Sequence, residues 1–163
     1  MRTLIVYYSL EGNTAFVAEK LAGLLEAETL RLEPVKEYPS SGMKKFLWGG
    51  KSAVMGEEPP LKPYAFNAAD WDRIVFGFPV WAGSLTPPLR TFIKAHGAEL
   101  GDKPVAAYAC QSGAGGEKAL GKLAALLGRQ SLKAQLVLND PKAKPDPKNG
   151  ERIADFCRRL GGE

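Results

Sequence analysis

A chain of 163 residues, 45% hydrophobic and 25% charged, has room for one globular domain around one core. The net charge of +4 sits mostly in the last part, since residues 1–128 carry 14 Lys+Arg against 13 Asp+Glu and residues 129–163 carry 8 against 5. Lys142, Lys144, Lys148, Arg152, Arg158 and Arg159 are spread out without interleaved aromatics, which argues against a nucleic-acid partner, and no apolar run reaches the ~20 residues of a membrane helix.

Strand and helix patterns alternate along the chain. Thr3–Tyr8 is a nearly continuous apolar run, as expected of a strand covered on both faces. It follows Met1-Arg2-Thr3 directly, with no signal-peptide core, and a cytoplasmic location is expected. Thr14–Ala27 sets Phe16, Val17, Leu21, Leu24 and Leu25 on one helical face, and Ala27–Leu32 is a short second strand. The stretch 36–68 interrupts the rhythm with the apolar cluster Phe46-Leu47-Trp48 beside Gly49-Gly50 and then a Pro-rich segment. It is expected to form a short helix and loop against one edge of a single domain spanning 1–163. Arg73–Phe78 is a third strand, Pro87–Ala95 a short helix opening on Pro87-Pro88, and Pro104–Ala109 a fourth strand. A helix across Glu117–Leu127, a fifth strand at Leu132–Leu138, a loop at Pro141–Lys148 and a last helix at Glu151–Leu160 complete the chain. Five strands separated by helices predict right-handed crossovers and a parallel sheet.

In such a sheet, ligands bind outside the carboxyl ends of the strands. Three loops leave those ends with unusual chemistry. The first, Ser9-Leu10-Glu11-Gly12-Asn13-Thr14, turns directly into a helix whose first N–H groups lack partners and carry the positive end of the helix dipole. Ser9 and Thr14 add hydroxyls, Gly12 permits close backbone approach, and Asn13 can brace the turn. With no Lys or Arg among these residues, a phosphate would be held by dipoles and hydrogen bonds alone. The plain alternative is that Ser9 or Asn13 caps the helix.

The second loop, Pro79-Val80-Trp81-Ala82-Gly83-Ser84, and the third, Cys110-Gln111-Ser112-Gly113-Ala114-Gly115-Gly116, carry no charge. They offer an aromatic plane and backbone amides from Trp81–Ser84 and Gln111–Gly116, which suits a flat neutral heteroaromatic ring.

On these three motifs the chain resembles the flavodoxins and flavodoxin-like FMN-binding proteins of the short-chain type, from Thr3 to the last helix. The resemblance implies a doubly wound, five-stranded parallel α/β sheet of order 2-1-3-4-5 and non-covalent FMN. The phosphate would lie on Ser9–Thr14 and the ring between Pro79, Val80, Trp81, Ala82 and Gly83 on one side and Cys110, Gln111, Ser112, Gly115 and Gly116 on the other. Glu11 stands where many members carry Ser or Thr, so its backbone N–H, with the carboxylate turned away, is the expected contribution. No tyrosine in the third loop corresponds to the one that covers the outer flavin face in many electron carriers; Tyr108, two residues before Cys110, reads as core. The implied function is flavodoxin-type electron transfer with a reductase and an acceptor as protein partners, as a monomer or weak dimer, without a membrane. The alternative is an NAD(P)H-dependent quinone or flavin reductase using the open flavin face, and a third class is a binding module without cofactor.

Other residues receive structural readings. Cys110 and Cys157 form no C-x-x-C pair and no metal-ligand spacing, no metal site is expected, and Cys110 has no cation nearby to activate its thiol. The G-x-x-x-x-G-K string at Gly116–Lys122 lacks the required Ser/Thr, because Leu123 follows. His96 closes a helix where a cation suits the dipole. Trp48 and Trp71 read as packing residues, and no catalytic side chain is identified.

Overall fold

The computed structural model describes residues 1–39 and 50–161. Five parallel strands, β1 (Thr3–Tyr7), β2 (Glu28–Arg31), β3 (Arg73–Pro79), β4 (Val105–Gln111) and β5 (Gln135–Asn139), form one sheet of order β2-β1-β3-β4-β5. This is the expected order. The helices are α1 (Asn13–Leu25), α2 (Pro87–His96), α3 (Gly116–Leu126) and α4 (Asn149–Gly161), each within one or two residues of its predicted span.

Strand residues alternate between two cores, as a period of two requires. Leu4 and Val6 of β1, Ile74 and Phe76 of β3 and Ala107 of β4 face one side, where Leu89 and Phe92 of α2 and Leu120 and Leu123 of α3 close over them. Ile5, Tyr7, Val75, Ala106 and Tyr108 face the other, under Val17 and Leu21 of α1 and Ile153 and Phe156 of α4. The edge strand β2 is short and mostly exposed, which limits its use as a template for pairing.

The fifth strand starts later than its composition predicts. Leu132 and Ala134 are buried but precede the regular strand, and pairing begins with Lys133 N–H donating to the Val105 carbonyl at 2.8 Å. Hydrophobicity there reports burial of the approach to the strand rather than the strand itself.

Within the stretch 36–68, residues 50–54 are helical, and Pro34 pairs with Leu61 in an isolated antiparallel bridge. The cluster Phe46-Leu47-Trp48 lies outside the described residues. His96 does more than end a helix. Its ring packs 4.8 Å from both Phe66 and Phe92, and its Nε2 lies 2.8 Å from the Tyr64 hydroxyl, fastening the Pro-rich segment to α2. Among the described residues no helix is long and apolar enough to cross a membrane.

Candidate functional site

The first loop runs straight into α1 and leaves the first amides of the helix open. Gly12, at φ 101°, precedes α1, and Phe16 N–H donates to its carbonyl at 2.9 Å. The N–H groups of Asn13 and Thr14 come before any carbonyl of the helix could accept them. Ser9 Oγ accepts from Ala15 N–H at 3.2 Å, so it does cap the helix, from outside the first turn. That bond uses the oxygen as acceptor and leaves the O–H for another partner. Thr14 is 1% exposed and its Oγ1 is buried without a hydrogen-bond partner. A buried hydroxyl without a partner is uncommon and calls for an explanation. An acceptor bound at the loop supplies one.

The loop is held by contacts with segments distant in sequence. Asn13 Oδ1 accepts from Lys142 N–H at 2.9 Å and Ala143 N–H at 3.2 Å, so Asn13 ties the loop after β5 to the first loop. Arg31 donates to the Ser9 carbonyl at 3.0 Å. A Cβ built on Gly12 would lie 3.2 Å from Lys142 Nζ. The six residues of the loop carry no cation of their own, but the chain folds Lys142 onto it.

Ser9, Leu10, Glu11, Asn13, Thr14, Pro79, Val80, Cys110 and Ser112 line one cavity of about 160 Å³, together with Asp140. Sequence reading missed Asp140, which follows β5. Its Oδ1 accepts from Ser112 Oγ at 2.8 Å, and Lys144 Nζ lies 3.8 Å from its Oδ2. The available signal was positional, since the end of β5 belongs to the same carboxyl edge as the other three loops. Cys110 is 5% exposed, and burial pushes its thiol up to about 12. Thr14 Oγ1 lies close enough to offset part of that rise, but short of hydrogen-bond geometry. The thiol is thus neutral across the physiological range and unsuited to nucleophilic work.

The other predicted residues lie outside this cavity. In the second loop, Trp81 and Ser84 exchange N–H···O=C bonds of 3.1 and 3.0 Å around a tight turn, with Ala82 at φ 51° and Gly83 at φ 68°. Two consecutive left-handed residues are the signature of a type I′ turn, and Ala82 takes that conformation against its preference. The amides of Trp81 and Ser84 are therefore engaged within the turn, leaving those of Ala82 and Gly83. The Trp81 ring stands 5.7 Å from Tyr8 and 5.1 Å from Tyr38, edge to face with both. Burial, with Glu37 nearby, raises the Tyr8 phenol well above its ordinary range, and its hydroxyl has no partner.

In the third loop, Gln111 turns inward. Its Nε2 donates to Asn139 Oδ1 at 2.9 Å and the Gly113 carbonyl at 3.2 Å, while its Oε1 accepts from Gly116 N–H at 2.8 Å. That side chain shapes the loop, and the Gly116 amide is not available to a ring. Gly115, at φ 96°, lets the second and third loops meet, since a Cβ there would sit 3.1 Å from Gly83 Cα. Gln111, Ala114, Gly115 and Gly116 border an open groove that also contains Lys118, whose Cδ is 3.3 Å from where a Gly83 Cβ would be. Sequence reading left Lys118 out because it belongs to a helix, not a loop.

These parts fit FMN. The first turn and its orphaned Thr14 hydroxyl match a phosphate, the Asp140 carboxylate matches a polyol hydroxyl, and the neutral second and third loops match a ring edge. Among the described residues no group of His, Cys, Asp and Glu could hold a metal ion.

The sequence profile of the NADPH-dependent FMN reductases matches residues 1–141. No curated protein matches the chain in sequence. Among solved structures, the chain is similar to a flavoprotein in complex with FMN from Lactobacillus acidophilus, with TM-score 0.70 and 18% identity over 93% of this chain and 97% of that one. It is also similar to a two-electron reduced flavodoxin from Megasphaera elsdenii, with TM-score 0.62 and 15% identity over 99% of each chain. An oxidised flavodoxin from Bacillus cereus aligns with TM-score 0.65 and 16% identity over 100% of this chain and 99% of that one. At these identities the likeness is one of fold.

Proposed function

The chain belongs to the NADPH-dependent FMN reductase family, and from that premise we propose that it carries FMN in the carboxyl-edge cleft and works as an oxidoreductase. The overall reaction would oxidise a nicotinamide dinucleotide and reduce a quinone or flavin acceptor, which takes up the two electrons and proton of the hydride together with one proton from solvent. FMN supplies the redox chemistry when bound; the protein positions it and sets its surroundings. The hydroxyls of Ser9 and Thr14 and the first-turn amides of α1 would hold the phosphate. Asp140 would accept from the ribityl chain, and the remaining N–H groups of Ala82, Gly83 and Ser112–Gly115 would serve the ring edge.

The observation that carries the enzymatic reading is the third loop. Ser112, Gly113 and Ala114 are small and exposed, so this loop places no ring over the outer side of the cleft. Hydride transfer requires a second ring to lie against the flavin at near-contact distance, and an uncovered face allows that. Lys118, beside Gly83, adds a cation at the rim, where a dinucleotide carries its phosphates.

Anaerobic mixing with NADPH or NADH, followed at the flavin absorbance, tests the proposal. Rapid bleaching by a nicotinamide alone, with turnover on added quinone, is the expected result. Slow bleaching that accelerates only when a flavoprotein reductase is added would replace it with flavodoxin-type electron transfer between protein partners.

A further inference from the structure

The backbone of the Pro141–Lys148 loop is tied to the first loop through Asn13 Oδ1. That tie fixes where Lys142 starts, and its ammonium reaches the Gly12 side of the loop. Lys144, two residues on, is the lysine that turns to Asp140. Two observations meet at this one loop: a cation folded over Gly12 and, on the cavity side, the buried, unpartnered Thr14 hydroxyl beside the open first turn.

We propose that Lys142 is a specificity residue for the phosphate of the flavin, making the site select FMN over the uncharged riboflavin by charge as well as by hydrogen bonds. The proposal rests on the FMN reading above. The phosphate carries up to two negative charges near neutral pH, and an ammonium at the same loop attracts it even through solvent. Lys142 is exposed, so salt screens the attraction. The charge contributes about tenfold in affinity at low ionic strength, falling as salt is added. Asn13 holds Lys142 by its main chain, so the loop stays in place whatever side chain occupies the position.

Fluorescence titration of the flavin-free protein with FMN and with riboflavin, at low and high salt, tests this on the parent, Lys142→Gln and Lys142→Arg. Lys142→Gln should bind FMN about tenfold more weakly at low salt, with a flatter salt dependence, and bind riboflavin as the parent does. Lys142→Arg should keep most of the FMN affinity. Parent-like FMN binding by Lys142→Gln would overturn the proposal and leave the FMN reading intact. An equal loss for both flavins would also overturn it, because a damaged loop does not distinguish a charged ligand from a neutral one. A parent protein that binds neither flavin would remove the FMN reading and this proposal with it.

Discussion

The Tyr108 hydroxyl donates a 2.9 Å hydrogen bond to the Thr14 carbonyl, joining the buried centre of β4 to the first turn of α1. Tyr108 is fully buried, and its ring occupies the space a Cβ on Gly77 would need. The position of the first turn of α1 therefore depends on a tyrosine 94 residues away in sequence and on a glycine in the neighbouring strand. Tyr108→Phe should lower unfolding stability by about 1 kcal/mol and weaken FMN binding a few-fold. Gly77→Ala should destabilise by about 3 kcal/mol or more, since ring and backbone cannot both stay. Urea unfolding of the flavin-free proteins checks both, and a stable, parent-like Gly77→Ala would mean that the ring can move.

Thr14→Val separates stability from binding. The hydroxyl is buried without a partner, so replacing it with a methyl group should stabilise the flavin-free protein by about 1 kcal/mol. The same change should weaken FMN binding about 10- to 100-fold by removing a bond to a charged oxygen. Thermal unfolding and flavin titration on one preparation give both numbers. Loss of stability together with unchanged affinity would mean the hydroxyl has another partner.

Gly12→Val should weaken FMN binding by roughly 10²–10⁴, through loss of backbone approach to the phosphate. Folding should suffer as well, by about 1–2 kcal/mol, because the residue sits at φ 101° and its side chain would meet Lys142. A variant that folds and titrates FMN like the parent would move the phosphate elsewhere.

Trp81, packed between Tyr8 and Tyr38 at the mouth of the second loop, should report flavin binding. FMN should quench a large share of the tryptophan emission, and Trp81→Leu should abolish most of that change. Trp71, whose ring lies 4.7 Å beneath the Arg2 guanidinium, should contribute little. If the change survives in Trp81→Leu, Trp48 becomes the reporter to test.

Alkaline pH should destabilise the protein partly through Cys110. Burial holds this thiol neutral, at about 12 against an ordinary 9.0. The unfolded chain loses the proton first, so the contribution is complete below pH 9 and disappears as pH rises from 9 through about 12. Cys110→Ala should flatten the fall in stability over that window, on top of a pH-independent loss of about 1 kcal/mol from the emptied thiol site. An unchanged alkaline profile would assign the fall to the buried tyrosines.

Much of this protein is determined by local sequence. The runs Thr3–Tyr8 and Arg73–Phe78 mark strands because both faces of a parallel sheet are covered, and the helical spacing of Val17 and Leu21 marks α1 for the same reason. The first loop was legible because its chemistry is contiguous: the orphan amides, hydroxyls and glycine of Ser9–Thr14 lie within one turn. Local signals failed at Leu132, where a buried residue precedes the regular strand, and at Gln111, whose amide folds its own loop. Only the tertiary structure could bring Asp140, Lys142 and Lys118 to the carboxyl edge, because that edge is assembled from the ends of strands far apart in sequence. Strand order decides which loops become neighbours, and no spacing along the chain encodes a distance across the sheet. A charge balance read within one loop therefore missed the lysine that another loop lays over it.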